Sequence, residues 1–564
     1  MNDDTHLGST GPTASRPKEP DTANRDVDGR QPAGQDAERP VDGTDRSHLR
    51  RAARAGGLNV VGAVVGALCG FAVTAVITNG LGPDDAGTIF ATTSLFLIGV
   101  AVVGLGTDIG LVRWMPTIVV TGRTHQLGAL LRVAGTPVLA VSLLVAAICF
   151  TVAGPLADWV IKDDSSSILV AGQDQIKILA IFLPIAAGLE FVLAATRGLR
   201  TMRPTVIVEG ISRSLVQIGA VAVALLLGAS TPVVVLAWSL PYLPALGWAM
   251  VWLRRLLARA RANPEPAQPQ AGRGRHRRPG KRSGDAELAG AFWSFTGPRA
   301  MASIAQQMLK RLDVVLVAAL VSPGEAALYA AASRFVTVGQ VGVQAIQQAL
   351  GPQLSALFAR DQRQEAQEVY QTSTAWSMLM AWPVYLGCAA LAGTLLAIFG
   401  PQYTQVTSTV VVLCLAMLFA IACGPVDMVL LMAGRSWLSL MNTFVALGVN
   451  LGLNLVLIPR WGALGAGCAW AGAIIVRNLL PLIQVRRHLG MSPIGGVTAK
   501  VGLQVLLTCA VVPGALAIAQ VSAWYVFTAL VVGGLVLLAL MWRQRKELHL
   551  NDLVSVVRRR ARRS

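Results

Sequence analysis

Apolar runs of about 20 residues recur from residue 57 almost to the C-terminus, each long enough to cross roughly 30 Å of hydrocarbon. That recurrence leaves few folds open. Backbone polar groups find no water inside a bilayer, so such runs must cross it as helices that bond within themselves. Composition agrees: of 564 residues, 54% are hydrophobic and only 14% charged. This is the balance of an all-α polytopic membrane protein, not of a soluble domain. Residues 1–55 differ, being rich in Asp, Arg, Gly, Pro and Thr and poor in large apolar side chains. They read as a disordered tail. The tail contains no apolar signal-peptide core, so the first membrane helix is expected to direct insertion.

Spans are expected near 57–79, 88–111, 133–158, 175–197, 206–228, 231–253, 295–321, 326–350, 373–398, 406–433, 437–458, 462–485, 501–519 and 521–541. The connections between them alternate in charge. Arg113, Arg123 and Arg132 follow the second span, Arg197, Arg200 and Arg203 the fourth, and Arg360, Arg363, Arg435, Arg486 and Arg487 later even-numbered spans. The odd-numbered connections are nearly free of Lys and Arg, with Lys162 and Arg460 as exceptions. Positive loops stay inside, so both termini are expected in the cytoplasm of a cell (inner) membrane protein. The net charge of +18 gathers after residue 253 and at the C-terminus. Beside membrane spans these basic clusters read as topology signals that attract anionic phospholipid, not as nucleic-acid sites.

The basic linker divides the chain. The expected order is tail 1–55, an N-terminal membrane bundle 56–253, linker 254–290, a C-terminal bundle 291–485, two extra helices 486–541 and a basic tail 542–564. A weak repeat supports the division: "LGPDDAGTIFATTS" joins spans one and two, and "VSPGEAALYAAASR" joins spans seven and eight. Pro83 then matches Pro323, and Asp85 matches Glu325. Duplicated halves around a central site are the common plan of secondary transporters.

Span seven carries charges that hydrocarbon does not tolerate without a reason. At about 100° per residue, Arg299, Ser303, Gln306, Lys310 and Asp313 form one stripe, which must face other helices or a water-filled cavity. Span five adds Glu209, Arg213 and Gln217, and span eight adds Arg334, Gln340, Gln344 and Gln347. Bland readings stand beside these. Glu209 and Arg213 suit pairing along one helix, as do Lys310 and Asp313. Asn450 and Asn454 suit gluing helices together. Asp108, Glu190 and Arg477 lie near the inner interface, where snorkelling explains them. Cations in a cavity match an anionic ligand, a phosphate or diphosphate above all. Asp427, just after Pro425, is a candidate for ion coupling or a hinge.

Enzyme chemistry finds little support. The chain has no phosphate-binding loop, nucleophile elbow or metalloprotease motif. Asp84 and Asp85 open a helix, where capping explains them. Asp163 and Asp164 sit in a connection of about a dozen residues, too short for an acceptor domain. The seven cysteines all fall in apolar runs, form no metal-binding pattern and read as packing residues.

"NLGLNLVLIPRWGALGAGCAWAGAIIVRN" (450–478) resembles the stretch of polysaccharide-exporter flippases in which an Asn-rich helix runs through "LIP" into a small-residue helix. Residues 80–113 and 311–334 resemble that family's first and seventh-span hairpins. The family belongs to the superfamily of multidrug exporters and the lipid II flippase. The likeness covers roughly residues 55–540 and implies about 14 transmembrane helices in two bundles around a cationic central cavity. It implies alternating access that carries an undecaprenyl-diphosphate-linked glycan between leaflets, with no cofactor beyond a coupling proton or sodium ion. Carried over, Arg299, Gln306, Lys310, Asp313, Arg334 and Gln344 would line the cavity from one bundle, with Glu209 and Arg213 facing them. The tails and linker lie outside the shared motifs and are candidate contacts for anionic lipid or polysaccharide-synthesis proteins. Alternatives are a peptidoglycan-precursor flippase, an ion-coupled exporter of organic cations, which calls for a carboxylate-lined cavity, and a non-transport membrane scaffold.

Overall fold

A computed structural model describes residues 43–162, 166–262 and 284–544. Most of the basic linker, the C-terminal tail, the first 42 residues and the Asp163–Asp164 pair lie outside them. The N-terminal half contains α1 (Gly43–Gly80), α2 (Pro83–Val103), α3 (Thr107–Val120), α4 (Leu127–Thr151), α5 (Ala153–Val160), α6 (Ser166–Gly198), α7 (Ser214–Leu226), α8 (Thr231–Ser239) and α9 (Tyr242–Ala262). The C-terminal half contains α10 (Gly284–Leu320), α11 (Pro323–Ala359), α12 (Arg363–Ala390), α13 (Ala392–Leu396), α14 (Thr407–Ala422), α15 (Val426–Met432) and α16 (Ser436–Leu489). Three helices follow: α17 (Gly496–Leu506), α18 (Val512–Ile518) and α19 (Ala523–Arg543). The described residues contain no strand.

Ten helices among the described residues are long and apolar enough to cross a membrane, or eleven with the bent pair Arg363–Ala390 and Ala392–Phe399. The helices α10 and α11 are absent from that set, in keeping with the charges and glutamines they carry. The 54-residue α16 counts once there but holds two expected spans. Gly462, at φ 52° and ψ −128°, kinks it. Asn442 and Gln484 then exchange two hydrogen bonds of 2.8 and 2.9 Å across the kink. The helix is therefore an antiparallel hairpin, and its turn requires a residue with no Cβ. Around the bundle, large apolar side chains such as Leu226 (86%) and Ile518 (86%) stay exposed, a surface that suits hydrocarbon rather than water. This is a multi-pass membrane protein.

Several helices are broken where the sequence supplies a breaker. Leu105 and Gly106, both at positive φ, separate α2 from α3. Pro241 separates α8 from α9, and Gly424 (φ 66°) with Pro425 separates α14 from α15. Pro204 precedes a π-helical stretch, Thr205–Arg213, that leads into α7. Broken helices expose backbone polar groups, which at membrane depth is tolerated only against other protein or a polar cavity.

The two turns of the internal repeat meet each other. Gly87 lies so close to the Pro323 backbone that a Cβ there has no room, and Asp84 borders Gly324. At the same end, Lys162 donates from Nζ to the Leu320 carbonyl and from its backbone N–H to Ala318, both at 3.1 Å. This accounts for a lysine in a connection that otherwise holds no Lys or Arg: it caps the carbonyl end of α10. Toward the opposite end, Gly106 and Gly110 admit Ala300, Thr296 and Phe292 of α10.

Candidate functional site

The polar interior divides into a closed part and an open part. Asp313 forms the closed part. It is 2% exposed, and its Oδ1 accepts from Asn450 Nδ2 at 3.0 Å and Asn454 Nδ2 at 2.7 Å. Its Oδ2 accepts from the Tyr329 hydroxyl at 3.0 Å. The carboxylate thus ties α10 to α11 and to the first arm of α16. Asp313 departs from the cavity-lining expectation because three neighbouring donors consume its lone pairs, and it makes no ion pair with Lys310 among the described residues. Asn450 and Asn454 glue helices, through this carboxylate.

The knot has one loose feature. Both asparagines turn their amide nitrogens to Asp313, which leaves both Oδ1 atoms buried without a partner. The assignment of amide O and N follows from surroundings. Turned over, the two amides would present oxygens to the carboxylate, an arrangement stable only around a cation. One carboxylate and two amide oxygens are the hard donors a sodium ion takes. Among the described residues no cluster of three His, Cys, Asp or Glu side chains exists to hold a transition metal.

The open part begins one turn away. Lys310 is exposed, and it feels the charges of Arg311 and Arg477. Arg311 is in electrostatic range of Arg334 on α11 and of Tyr242 on α9. Tyr242 in turn lies under the Arg213 guanidinium, 4.7 Å from ring centroid to Cζ, and packs edge-on to Phe96. Arg213 also reaches Gln217 Oε1 at 3.5 Å, while Gln217 donates to the Trp238 carbonyl at 2.8 Å. Residues of both halves therefore converge through Tyr242 and Arg311. No carboxylate is within ion-pair distance of Lys310, Arg311 or Arg334 among the described residues. The Nε atoms of Arg213 and Arg334 are buried and unpartnered. A buried guanidinium donor without an acceptor is costly.

Glu209 and Arg213 sit on the π-helical stretch, a distortion common at functional sites. They form no ion pair within 4.0 Å. Glu209, Glu190 on α6 and Arg213 instead lie within electrostatic range of one another. Gln306 and Gln344 are half-buried and exposed respectively, and neither makes a hydrogen bond among the described residues. Arg299 stands apart. It lies 5.1 Å over the Phe295 ring, which Arg113 of α3 approaches at 4.0 Å. Eleven residues of helix separate it from Lys310, about 16 Å. Asp427 lies in the first turn of α15, after the Gly424–Pro425 break, and its charge reaches Arg477.

Sequence periodicity missed three members of the group. Arg311 lies about 100° off the Lys310 stripe. Arg477 reads from the sequence as an inner-interface residue, and Tyr242 carries no signal beyond its place after the Pro241 break.

The comparisons with known proteins bear on this geometry. The chain has the fold of the MOP-superfamily transporters. Its structure superposes on the lipid II flippase MurJ in an inward closed conformation with a TM-score of 0.65, at 11% identity, over 86% of this chain and 99% of that one. An inward-facing multidrug resistance MATE transporter of the MOP superfamily follows at 0.60, with 12% identity, 75% of this chain and 94% of that one. A Vibrio cholerae MATE transporter matches at 0.54, with 13% identity, 81% of this chain and all of the other. Residues 283–408 match the model of a family described as polysaccharide biosynthesis protein. That segment holds α10 and α11, the helices that carry Lys310, Arg311, Asp313 and Arg334. A probable low-salt glycan biosynthesis flippase of Haloferax volcanii is 22% identical over 193 residues, 34% of this chain. The match covers 41% of that relative's length, less than half.

Proposed function

We propose that this protein is a flippase that carries a polyprenyl-diphosphate-linked oligosaccharide, a precursor of cell-envelope polysaccharide, from the inner to the outer leaflet by alternating access. The observation that carries the reading is the group Lys310, Arg311 and Arg334, cations from two helices that no carboxylate neutralises among the described residues. A diphosphate needs fixed cations to replace its water during transit, and a guanidinium offers paired donors to phosphate oxygens. Arg213, through Tyr242, brings the N-terminal half to the same place. The cell membrane is the expected location, with both termini cytoplasmic by the loop-charge rule. No bond is made or broken, so the protein acts without catalysis. It needs a bistable bundle, for which the breaks at Gly106 and Gly424 are the natural hinges. Undecaprenyl diphosphate is the carrier we favour, with synthesis proteins of the same pathway as partners.

Sodium is the coupling ion we favour, held by Asp313 with the amide oxygens of Asn450 and Asn454. Bound there, it would neutralise a buried carboxylate that has no ion-pair partner among the described residues. A cationic exporter is the weaker reading, because the central charges would repel its cargo.

The test uses vesicles that carry the protein and a fluorescent polyprenyl-diphosphate oligosaccharide. Wild type should expose the label to an external quencher, and the pair Lys310→Gln with Arg334→Gln should cut that rate at least about tenfold. Equal rates in the two proteins would remove the central site from the mechanism.

A further inference from the structure

A second basic site lies away from the bundle centre. A cavity of about 600 Å³ opens between the turn after α6 and one face of α9. Thr201 and Arg203 line it from the turn, and Trp248, Trp252, Arg255 and Arg259 from α9. Those four fall at helical spacing on one face, with the two indoles a turn apart and the two arginines on the next turns toward the polar end. The indoles are stacked, 6.3 Å between centroids and 28° between planes. The turn is a shaped one: Arg200 is held at φ 60°, a conformation unusual for a residue with a side chain. Arg203, Arg255 and Arg259 form no ion pair among the described residues.

We propose that this cavity binds the headgroup of an anionic phospholipid, such as phosphatidylglycerol, from the leaflet on the basic-loop side. Charge selects an anion, and three arginines with one threonine hydroxyl supply donors for a phosphate. The surroundings select a lipid over free phosphate. Trp248 (47% exposed) and Val251 (45%) continue the site onto the apolar outer surface, where acyl chains lie. Tryptophans at this level match the headgroup–hydrocarbon boundary, where indoles concentrate. The volume is in the range of small-molecule sites and accepts a glycerol phosphate. The site does not depend on the flippase reading, since it uses no residue of the central group.

Native mass spectrometry of the full-length protein, exchanged into mixed phosphatidylglycerol and phosphatidylcholine micelles, tests the assignment. The pocket variant is Arg203→Gln with Arg255→Gln. The control is Arg254→Gln with Arg261→Gln, which removes the same charge from the same end but not from the cavity wall. Both must elute as one species and unfold at the wild-type temperature. Wild type and control should retain phosphatidylglycerol selectively, and the pocket variant should lose that selectivity about tenfold or more. Equal loss in both variants would mean diffuse attraction and overturn the site. Displacement of phosphatidylglycerol by a lower concentration of undecaprenyl diphosphate, with the same variant dependence, would reassign the cavity to the carrier lipid. Should the pocket variant not fold, Trp248→Ala with Trp252→Ala offers a second route, with the same loss expected.

Discussion

Asp313 and Lys310 stand three residues apart on the same helix and the same stripe, yet their surroundings oppose each other. Around Asp313 every carboxylate oxygen has a donor, and three helices are joined through it. Around Lys310, Arg311 and Arg334 the charges share one sign, and the buried Nε of Arg334 has no acceptor. A polar stripe in a membrane helix can thus be satisfied at one turn and unsatisfied at the next. The distinguishing mark is satisfaction of hydrogen bonds, not polarity. Closed networks hold a bundle together, and open ones are held in place by it at a cost in stability that a ligand relieves.

Breaking the closed part should produce the largest effect. Asp313→Ala strips three donors of their acceptor and opens a void, and we expect a loss of about 2–4 kcal/mol in stability, seen as a lower unfolding midpoint in detergent. Asp313→Asn keeps the shape and sharpens the contrast. It should fold, and its unfolding midpoint should no longer rise when sodium replaces potassium. A midpoint that still responds to sodium would move the ion elsewhere.

Breaking the open part should do the reverse to stability. Arg334→Met removes a buried guanidinium whose Nε has no partner. Replacing an uncompensated buried charge with an apolar side chain of similar length is neutral or stabilising, by about 1 kcal/mol or more. Glycan transport should meanwhile fall at least about tenfold. A variant that loses both stability and transport would place Arg334 in the structural class beside Asp313. Between these extremes, Asn454→Ala removes one 2.7 Å bond of the knot. It should lower stability by about 1 kcal/mol, the scale of an interhelical bond in a membrane, and Asn450→Ala should match it.

Much of this was legible before any coordinates. Apolar run length gives the helices, and the Gly–Pro signals mark the breaks at Gly424 and Gly462, because positive φ and a missing amide hydrogen act locally. The repeat turns were visible as "LGPDD" and "VSPGE", although their mutual contact was not. What periodicity does not supply is the identity of the facing helix. Lys310 and Asp313 look alike on a helical wheel, and α11 together with α16, the latter more than 130 residues away, makes them different. Arg311 shows the same limit from the other side: it lies off the stripe, yet it is in electrostatic range of Tyr242 of the other half.

The smallest expected effect concerns Arg299, which shares the stripe with both residues and belongs with neither. Its guanidinium lies over Phe295, a ring that Arg113 also covers, and a regular helix carries it about 16 Å from Lys310. A cation over an aromatic face at a half-buried position is worth about 0.5–1 kcal/mol, and Arg113 keeps the ring covered when Arg299 is gone. Arg299→Gln should therefore lower stability by less than about 1 kcal/mol and change transport by no more than about twofold. The measurement is the same vesicle quenching rate used for Lys310 and Arg334. A tenfold loss would extend the open group down the helix to the contact between α3 and α10. The anion path would then begin there, and the division at one helical turn would give way to a graded one.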